Sequence, residues 1–331
     1  MRSHYLSRLL ACLATLSVFA FAVPASSLDI VLTNDDGFET ENIQALYRAL
    51  VEAGHDVILV APFLGQSGTG GQVAFLQPIL PTGEPSEGGL LPAGSFGIGV
   101  TTIAPQQFYV DGSPTAAVLY GIDVLAPEIF GGAPDLVLSG PNEGNNLGLV
   151  TPHSGTLGAT VTALNKGIPA IALSADSDDE TTEEAELIAE LALRVVESVD
   201  GRWGVQLPSD TGLNVNFPDV DPATMDASDF RFRQTRIGRA AQIGLQFFED
   251  IGESPIAQAV GIPAEIGLPG VSVAIPFTEA GYAADNSSVS EGNALEGVTV
   301  TVSVIEGTYA ADFFKEIRVR RGLRSLFRNK H

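Results

Sequence analysis

The chain has 331 residues, of which 45% are hydrophobic, and it carries 40 Asp and Glu against 17 Lys and Arg, a formal net charge of −23. This length and hydrophobic content are sufficient for one large domain or two smaller ones. So acidic a chain disfavours duplex nucleic acid as a partner, because phosphate backbones are bound by clusters of basic residues. An anionic ligand must therefore be bound by local features rather than attracted by the net charge.

Residues 1–25 have the pattern of a secretory signal peptide. Arg2 and Arg8 flank the start of an apolar run, residues 9–23, and the small residues after it suit cleavage following Ala25. The run is shorter than the about 20 apolar residues of a typical membrane span. Its removal takes away the only cysteine, Cys12, and leaves 15 basic side chains against 40 acidic ones. We therefore expect a periplasmic or secreted protein without disulfides or a membrane span.

The segment from residue 26 to residue 200 alternates apolar strands with helices. Strands are predicted at residues 28–31, 57–61, 135–140 and 168–174. Helices are predicted from about residue 43 to 51, 156 to 165 and 181 to 199, where apolar residues recur every three or four positions. This order predicts an α/β core with a mostly parallel sheet that helices cover on both faces.

Two regions depart from this alternation. Residues 77–107 are rich in Gly and Pro and have no period, which predicts a long excursion. Beyond residue 200, short strand-like runs at 213–217, 271–275 and 298–305 predict a β-rich region, residues 201–331, that extends away from the sheet and contributes oligomer contacts. The chain ends in a basic tail that contains Lys315, Arg318, Arg320, Arg321, Arg324, Arg328 and Lys330. We predict that this tail is a helix that is either solvated or packed on the acidic body or on a second subunit. Contact with a membrane or a polyanion is the alternative.

Polar residues follow three of the predicted strands. Asn34-Asp35-Asp36-Gly37 follows the first strand, a loop with Ser67 follows the second, and residues 140–146, which include Asn142, follow the third. Because ligands bind at the carboxyl ends of parallel strands, we expect these segments to meet at one edge. Carboxylate, hydroxyl and amide oxygens suit a hard cation such as Mg²⁺ or Mn²⁺ rather than zinc. The alternative is a plain turn, since Asn, Asp and Gly are common turn residues.

A second polar motif, His153-Ser154-Gly155-Thr156, opens a predicted helix. Hydroxyls and free N–H groups at a helix start form an anion site that needs no basic residue. A divalent cation beside such a pocket favours phosphate chemistry. No Gly-x-Gly-x-x-Gly follows the first strand and no Walker loop is present, which disfavours dinucleotide and P-loop functions.

In this order, the motifs resemble those of the SurE-type survival proteins, a family of metal-dependent 5′/3′-nucleotidases. The similarity covers about residues 28–239 and continues less clearly from 285 to 304. The segments that match are residues 33–37, 61–62, 66–68, 112–114, 139–146, 154–156, 167–170, 213–216 and 235–239.

The resemblance implies a Rossmann-like sheet with a C-terminal β-extension used in homodimer or homotetramer assembly. When the family's motifs are matched to this chain by position, the resemblance implies one divalent ion, a set of residues that binds it and a set of residues that binds phosphate. The implied metal ligands are Asp35, Asp36, Ser67 and Asn142, and the implied phosphate pocket is Asn146, Ser154, Gly155 and Thr156. The chain departs from the family pattern at residues 39–42, which read Glu-Thr-Glu-Asn, at His153 in place of the usual Tyr, and in the longer excursion. These changes leave the metal set intact and the substrate preference open.

The expected reaction is hydrolysis of a phosphomonoester, with Asp35 or Asp36 as the catalytic group. One of these aspartates would orient or deprotonate an attacking water, or alternatively attack directly to form an aspartyl-phosphate. His153 is a candidate to protonate the leaving oxygen. His55, at a helix-to-strand turn, is expected to be structural.

Two other functions compete with a phosphatase. One is a catalytically silent exported protein that binds nucleotide or phosphate. The other is a nucleotide-sugar-dependent transferase, which should need a second series of βαβ units. No such series is visible after Val199.

Overall fold

This computed structural model describes residues 27–176, 181–201, 204–208, 210–310 and 313–322. The predicted signal peptide lies outside the described residues, as do the tail residues Arg324, Arg328 and Lys330. No helix within the described ranges is long and apolar enough to cross a membrane.

The described strands build one large sheet and two small ones. They are β1 (Asp29–Thr33), β2 (Asp56–Pro62), β3 (Ile98–Val100), β4 (Gln107–Val110), β5 (Leu136–Glu143), β6 (Ala170–Ala175), β7 (Asp200–Gly201), β8 (Gly204–Val205), β9 (Thr211–Asn216), β10 (Arg231–Thr235), β11 (Gly244–Phe248), β12 (Gly270–Ala274) and β13 (Thr299–Glu306). The large sheet has the order β10-β13-β9-β6-β5-β1-β2-β4-β3. Its central strands, from β9 to β4, are all parallel, as the sequence predicts.

Helices cover both faces of this sheet. The α-helices of the described residues, not all of which lie on this sheet, are α1 (Glu41–Glu52), α2 (Pro114–Tyr120), α3 (Ala126–Ile129), α4 (Gly155–Asn165), α5 (Thr182–Val199), α6 (Pro255–Ala259), α7 (Glu291–Ala294) and α8 (Phe313–Gly322). Helix α5 begins at a capping box, in which the Thr181 hydroxyl and the Glu184 carboxylate each accept from the other's backbone N–H. Helices α1 and α5 pack together on one face, and α2 packs with α4 on the other.

The two faces of β1 show why the middle of this strand is apolar. Ile30 and Leu32 belong to the core cluster that includes residues of α1 and α5, whereas Val31 belongs to the cluster that includes residues of α2 and α4. All three side chains are fully buried. Since both faces are covered, no position of the strand favours a polar side chain until the strand ends.

The C-terminal strands correct one expectation. Strands β9, β13 and β10 do not leave the sheet but extend it, with β9 parallel to β6 and β13 antiparallel to β9. Strands β11 and β12 form a separate antiparallel pair, as do the two-residue strands β7 and β8. The physical reason is that an uncovered β6 edge would expose unpaired backbone groups. The sheet therefore runs across residue 200, and the division of the chain at that residue stays a prediction.

Candidate functional site

Three loops meet at the carboxyl edge of the sheet. Strand β1 lies between β2 and β5 and is parallel to both, so the loops that follow these strands are neighbours. The backbone N–H of Gln66 donates to the Asp35 carbonyl at 2.7 Å, and this places the loop with Ser67 beside Asp35. The N–H of Glu143 donates to Asp36 Oδ2 at 3.1 Å. The predicted meeting of the three segments is confirmed.

Asn34 and Gly37 close the turn after β1. Asn34 Nδ2 donates to the Gly37 carbonyl at 2.8 Å, and the Gly37 N–H donates back to Asn34 Oδ1 at 3.1 Å. Gly37 has a φ of +112°, a backbone conformation that favours glycine. The side chains of Asp35 and Asp36 reach other segments instead, so the turn does not by itself explain two adjacent carboxylates.

Asp35 is a buried carboxylate that contacts the first turn of α4. Its side chain is 3% exposed, and its Oδ1 accepts from Thr156 Oγ1 at 2.5 Å. Burial raises the pKa of Asp35 to about 6, against the opposing effect of hydrogen bonds from the Thr156 side chain and from backbone groups that include Thr156 and Gly155. Two ion pairs, Arg48 with Glu41 and Lys166 with Asp123, lie elsewhere, and no cationic side chain of the described ranges pairs with Asp35.

The surroundings of Asp35 fit a hard cation. Asp36, in the same turn, and Asn142, near the end of β5, are 9% and 8% exposed. Asn142 Nδ2 donates to the Gly144 carbonyl, which leaves the amide oxygen as the atom that Asn142 can offer to a cation. Among the described residues, no group of three or more His, Cys, Asp or Glu is placed to hold a metal. A cation here would therefore be completed by neutral oxygen ligands and water, as Mg²⁺ commonly is.

The predicted phosphate-binding residues lie next to this position. Ser154 caps α4, and its Oγ accepts from the Leu157 N–H at 3.2 Å. Asn146 Nδ2 donates to Thr156 Oγ1 at 3.3 Å and to Ser174 Oγ at 3.0 Å. A Cβ on Gly155 would lie 2.8 Å from Asp35 Cβ, so only glycine allows this approach of helix and carboxylate. The two predicted sets of ligands thus meet at the contact between Asp35 and Thr156.

The two histidines occupy different environments. The His153 side chain is exposed beside this site, and its backbone carbonyl accepts from the Gly70 N–H at 3.0 Å. Its catalytic role stays a prediction. His55 is buried, and its Nδ1 accepts from the Leu28 N–H at 3.2 Å. Burial lowers the pKa of His55, which suits the structural role expected from its sequence position.

Sequence reasoning missed the groups behind Asn146. Asn216 Oδ1 accepts from the Asn146 N–H at 2.9 Å, and Asn214 Nδ2 donates to the Asn146 carbonyl at 3.0 Å. Asn214 in turn donates to the carboxylate of Glu291 at 3.1 Å. The sequence did contain a signal for these groups, since Asn214 and Asn216 alternate with the apolar residues Leu213 and Val215 in a predicted strand.

Comparisons with known proteins agree with this architecture. The family described as "Survival protein SurE" matches residues 30–243. An acid phosphatase of Yarrowia lipolytica is 38% identical over 236 residues, which is 65% of this chain and 64% of that protein. The 5′-nucleotidase SurE of Carboxydothermus hydrogenoformans is 35% identical over 196 residues, 58% of this chain and 65% of the relative.

A solved structure extends the likeness to nearly the whole described fold. The SurE protein from Aquifex aeolicus is 27% identical, has a TM-score of 0.62, and the match covers 89% of this chain and 99% of that one. The chain spans just under two thirds of the length of the two relatives named above. By its family match, its motifs and its fold, the chain belongs to the SurE family.

Proposed function

We propose that the protein is a metal-dependent phosphomonoesterase that hydrolyses nucleoside monophosphates, at the 5′ or 3′ position, to nucleoside and phosphate. Two relatives named 5′-nucleotidase and acid phosphatase support this reaction class. Small-molecule substrates also suit a chain whose net charge of −23 disfavours duplex nucleic acid.

The contact between Asp35 and Thr156 carries the proposal. It joins a buried carboxylate, which has no cationic partner among the described residues, to the first turn of a helix. A carboxylate of this kind favours a cation, and a helix start favours an anion. A phosphate bound to a divalent ion supplies both charges at once.

The protein's own groups have separate roles in this reaction. Asp35, Asp36, Ser67 and Asn142 would hold the ion, which would supply charge stabilisation to the phosphoryl oxygens. Asn146, Ser154, Gly155 and Thr156 would line the phosphate pocket at the start of α4. Asp35 or Asp36 would accept the proton of the attacking water, with direct attack by an aspartate as the alternative. His153, at the exposed rim, would donate a proton to the leaving oxygen.

The decisive experiment is an assay of phosphomonoesters with several divalent metals. We expect phosphate release with Mg²⁺ or Mn²⁺, its loss in excess chelator and its return when the metal is restored, because the ligands are hard oxygens. Full activity in chelator, with no tightly held metal detected, would contradict the metal site. Binding of nucleotides or phosphate without any release would instead identify a silent binding protein.

We also propose that the protein is exported and forms a homodimer or homotetramer. The mature chain should begin near Ser26, and intact-mass measurement of protein from the native host would test this. A retained Met1, or recovery from the cytoplasm, would contradict it.

Phe247 and Val271 on the β11–β12 pair are 66% and 60% exposed and are candidates for the subunit contact. Light scattering with these two residues changed to Ser should report a smaller particle than the unmodified protein.

A further inference from the structure

Glu291, the first residue of α7, is a carboxylate with no exposed surface. Its Oε1 accepts from the Gly148 N–H at 2.9 Å. Its Oε2 accepts from Asn214 Nδ2 at 3.1 Å and from Ser303 Oγ at 2.7 Å. Burial raises the pKa of Glu291, and these three donors oppose the rise. The carboxylate therefore acts as an acceptor at both oxygens and joins three separate segments.

One of these bonds continues to the candidate site. Asn214 Nδ2 also donates to the Asn146 carbonyl at 3.0 Å. The Asn146 side chain donates to Thr156 Oγ1 at 3.3 Å, and Thr156 donates to Asp35 at 2.5 Å. All five side chains of this path are less than a tenth exposed. A continuous series of buried hydrogen bonds thus connects the C-terminal region to the carboxylate after β1.

Glu291 is one of two acceptors that hold the Asn214 amide in its orientation. A carboxylate only accepts, so the NH₂ group of Asn214 must face it. The same NH₂ group then also reaches Asn146. Asn214 Oδ1 is buried and has no hydrogen-bond partner among the described residues, which is an unfavourable state for an amide oxygen. Without the carboxylate, the Asn146 carbonyl would be the one remaining acceptor for this NH₂ group, and one hydrogen bond instead of two would hold the amide in this orientation.

We propose that Glu291 is a positioning residue for the candidate phosphate pocket, because its carboxylate orients Asn214 and thereby holds Asn146 against Thr156 and Ser174. This inference rests on the proposed phosphatase function. Glu291 itself does not touch the substrate. Its effect reaches the pocket only through Asn214 and Asn146.

Ser303 offers a matched control. Its hydroxyl donates to the same Oε2 atom of Glu291, but it lies on β13 and its other partner is the hydroxyl of Thr235, 2.8 Å away. Ser303→Ala removes a buried bond to Glu291 and keeps the carboxylate that orients Asn214. Glu291→Gln keeps the acceptor for the Gly148 N–H and turns the other acceptor into an NH₂ group, which repels the NH₂ group of Asn214.

The experiment compares these two variants of the full chain with the unmodified protein. The readouts are the Tm, kcat and KM, and the Kd of inorganic phosphate measured by calorimetry in the presence of Mg²⁺. We expect Glu291→Gln to weaken phosphate binding about tenfold and to lower kcat/KM at least as much. Losses of this size are typical when a residue that hydrogen-bonds to a ligand-binding side chain, and so orients it, is replaced. Ser303→Ala should lower the Tm and leave the phosphate Kd within about twofold of the unmodified value.

Asn214→Ala provides the second line of evidence. If Glu291→Gln does not fold, this variant carries the test and should show the same loss of phosphate affinity. If both fold, the double variant should lose no more phosphate affinity than either single one, because they interrupt the same path. A lowered Tm with unchanged phosphate affinity in both would overturn the inference and leave Glu291 as a structural residue. Absence of phosphate binding and release in the unmodified protein would instead refute the proposed function itself.

Discussion

The turn after β1 and the segment around Glu291 each bury a carboxylate, and the two carboxylates are stabilised differently. Glu291 is fully buried, and neutral donors from three segments surround it. Asp35 is 3% exposed, has one side-chain donor, Thr156, and is followed directly by a second carboxylate, Asp36. Its pKa is raised to about 6 by burial, despite hydrogen bonds that lower it.

This difference shows two ways in which the fold can accommodate a buried acid. The Glu291 carboxylate receives its donors from the fold itself, and these donors oppose the rise in its pKa that burial causes. Two neighbouring carboxylates at a sheet edge, by contrast, repel each other and gain most from a cation. The partners of Glu291 all lie within the fold, whereas Asp35 and Asp36 would gain theirs from the proposed cation.

Replacing either aspartate should give the largest effect. Asp35→Asn and Asp36→Asn keep the shape of the turn and remove one charge, so we expect turnover to fall by at least about 10²–10³. The metal-free Tm should stay unchanged or rise, since a repelling charge is gone. Steady-state kinetics and thermal melts in chelator measure both. Asp123→Asn, which affects only an exposed pair with Lys166, should keep its turnover. Aspartate variants that melt earlier and remain active would mean that both groups merely shape the turn.

Gly155→Ala, which adds a methyl group at the start of α4, should have the next largest effect on turnover. Its Cβ would lie 2.8 Å from Asp35 Cβ and 2.9 Å from Asp35 Oδ2, so the start of α4 or the carboxylate must move. We expect turnover to fall by about 10–100-fold, because small displacements of reacting groups are costly. Gly132→Ala is the control, since a Cβ there meets nothing within 4 Å. Equal kinetics for the two variants would show that the close approach has no functional consequence.

Replacing Glu39, a third carboxylate, should have a smaller effect, on stability. Glu39 lies in the segment where the chain departs from its family pattern. Its oxygens accept from Ser86 Oγ at 2.9 Å, from the Gly88 N–H at 2.7 Å and from the Leu90 N–H at 2.9 Å. Glu39→Ala should lower the free energy of unfolding by about 0.5–1.5 kcal/mol and make the excursion easier to cleave by protease. Glu41→Ala, at an exposed ion pair, should change neither. Unchanged proteolysis of Glu39→Ala would show that the excursion is held elsewhere.

The pH dependence of stability should give the smallest effect. The pKa of Asp35 rises from 3.8 to about 6 on folding, so the folded protein holds this proton more tightly than the unfolded chain does. Ionisation of Asp35 therefore lowers stability progressively as the pH rises from about 4 to about 6. In chelator, the Tm of the unmodified protein should fall by several degrees relative to that of Asp35→Asn across this range. Saturating Mg²⁺ should remove the difference at pH 8. Parallel Tm curves in chelator would contradict a raised pKa.

Several features of the site depended only on local sequence. The turn after β1 follows from Asn34 and Gly37, whose hydrogen bonds span three residues. The start of α4 follows from Ser154, which caps its own helix. The meeting of the three loops also followed from the sequence, because alternating strands and helices imply parallel strands whose carboxyl ends share an edge.

Other features were decided only by the tertiary structure. No local pattern shows that β9, β13 and β10 extend the main sheet, because strand partners are chosen by the edge available rather than by the strand's own residues. Glu291 lies 143 residues from Gly148 and 77 from Asn214, so nothing in its neighbourhood along the chain reveals its partners. The raised pKa of Asp35 likewise arises from burial beneath α4. The sequence indicated the candidate residues for the proposed chemistry, and the packing of distant segments determined how each of them is held and charged.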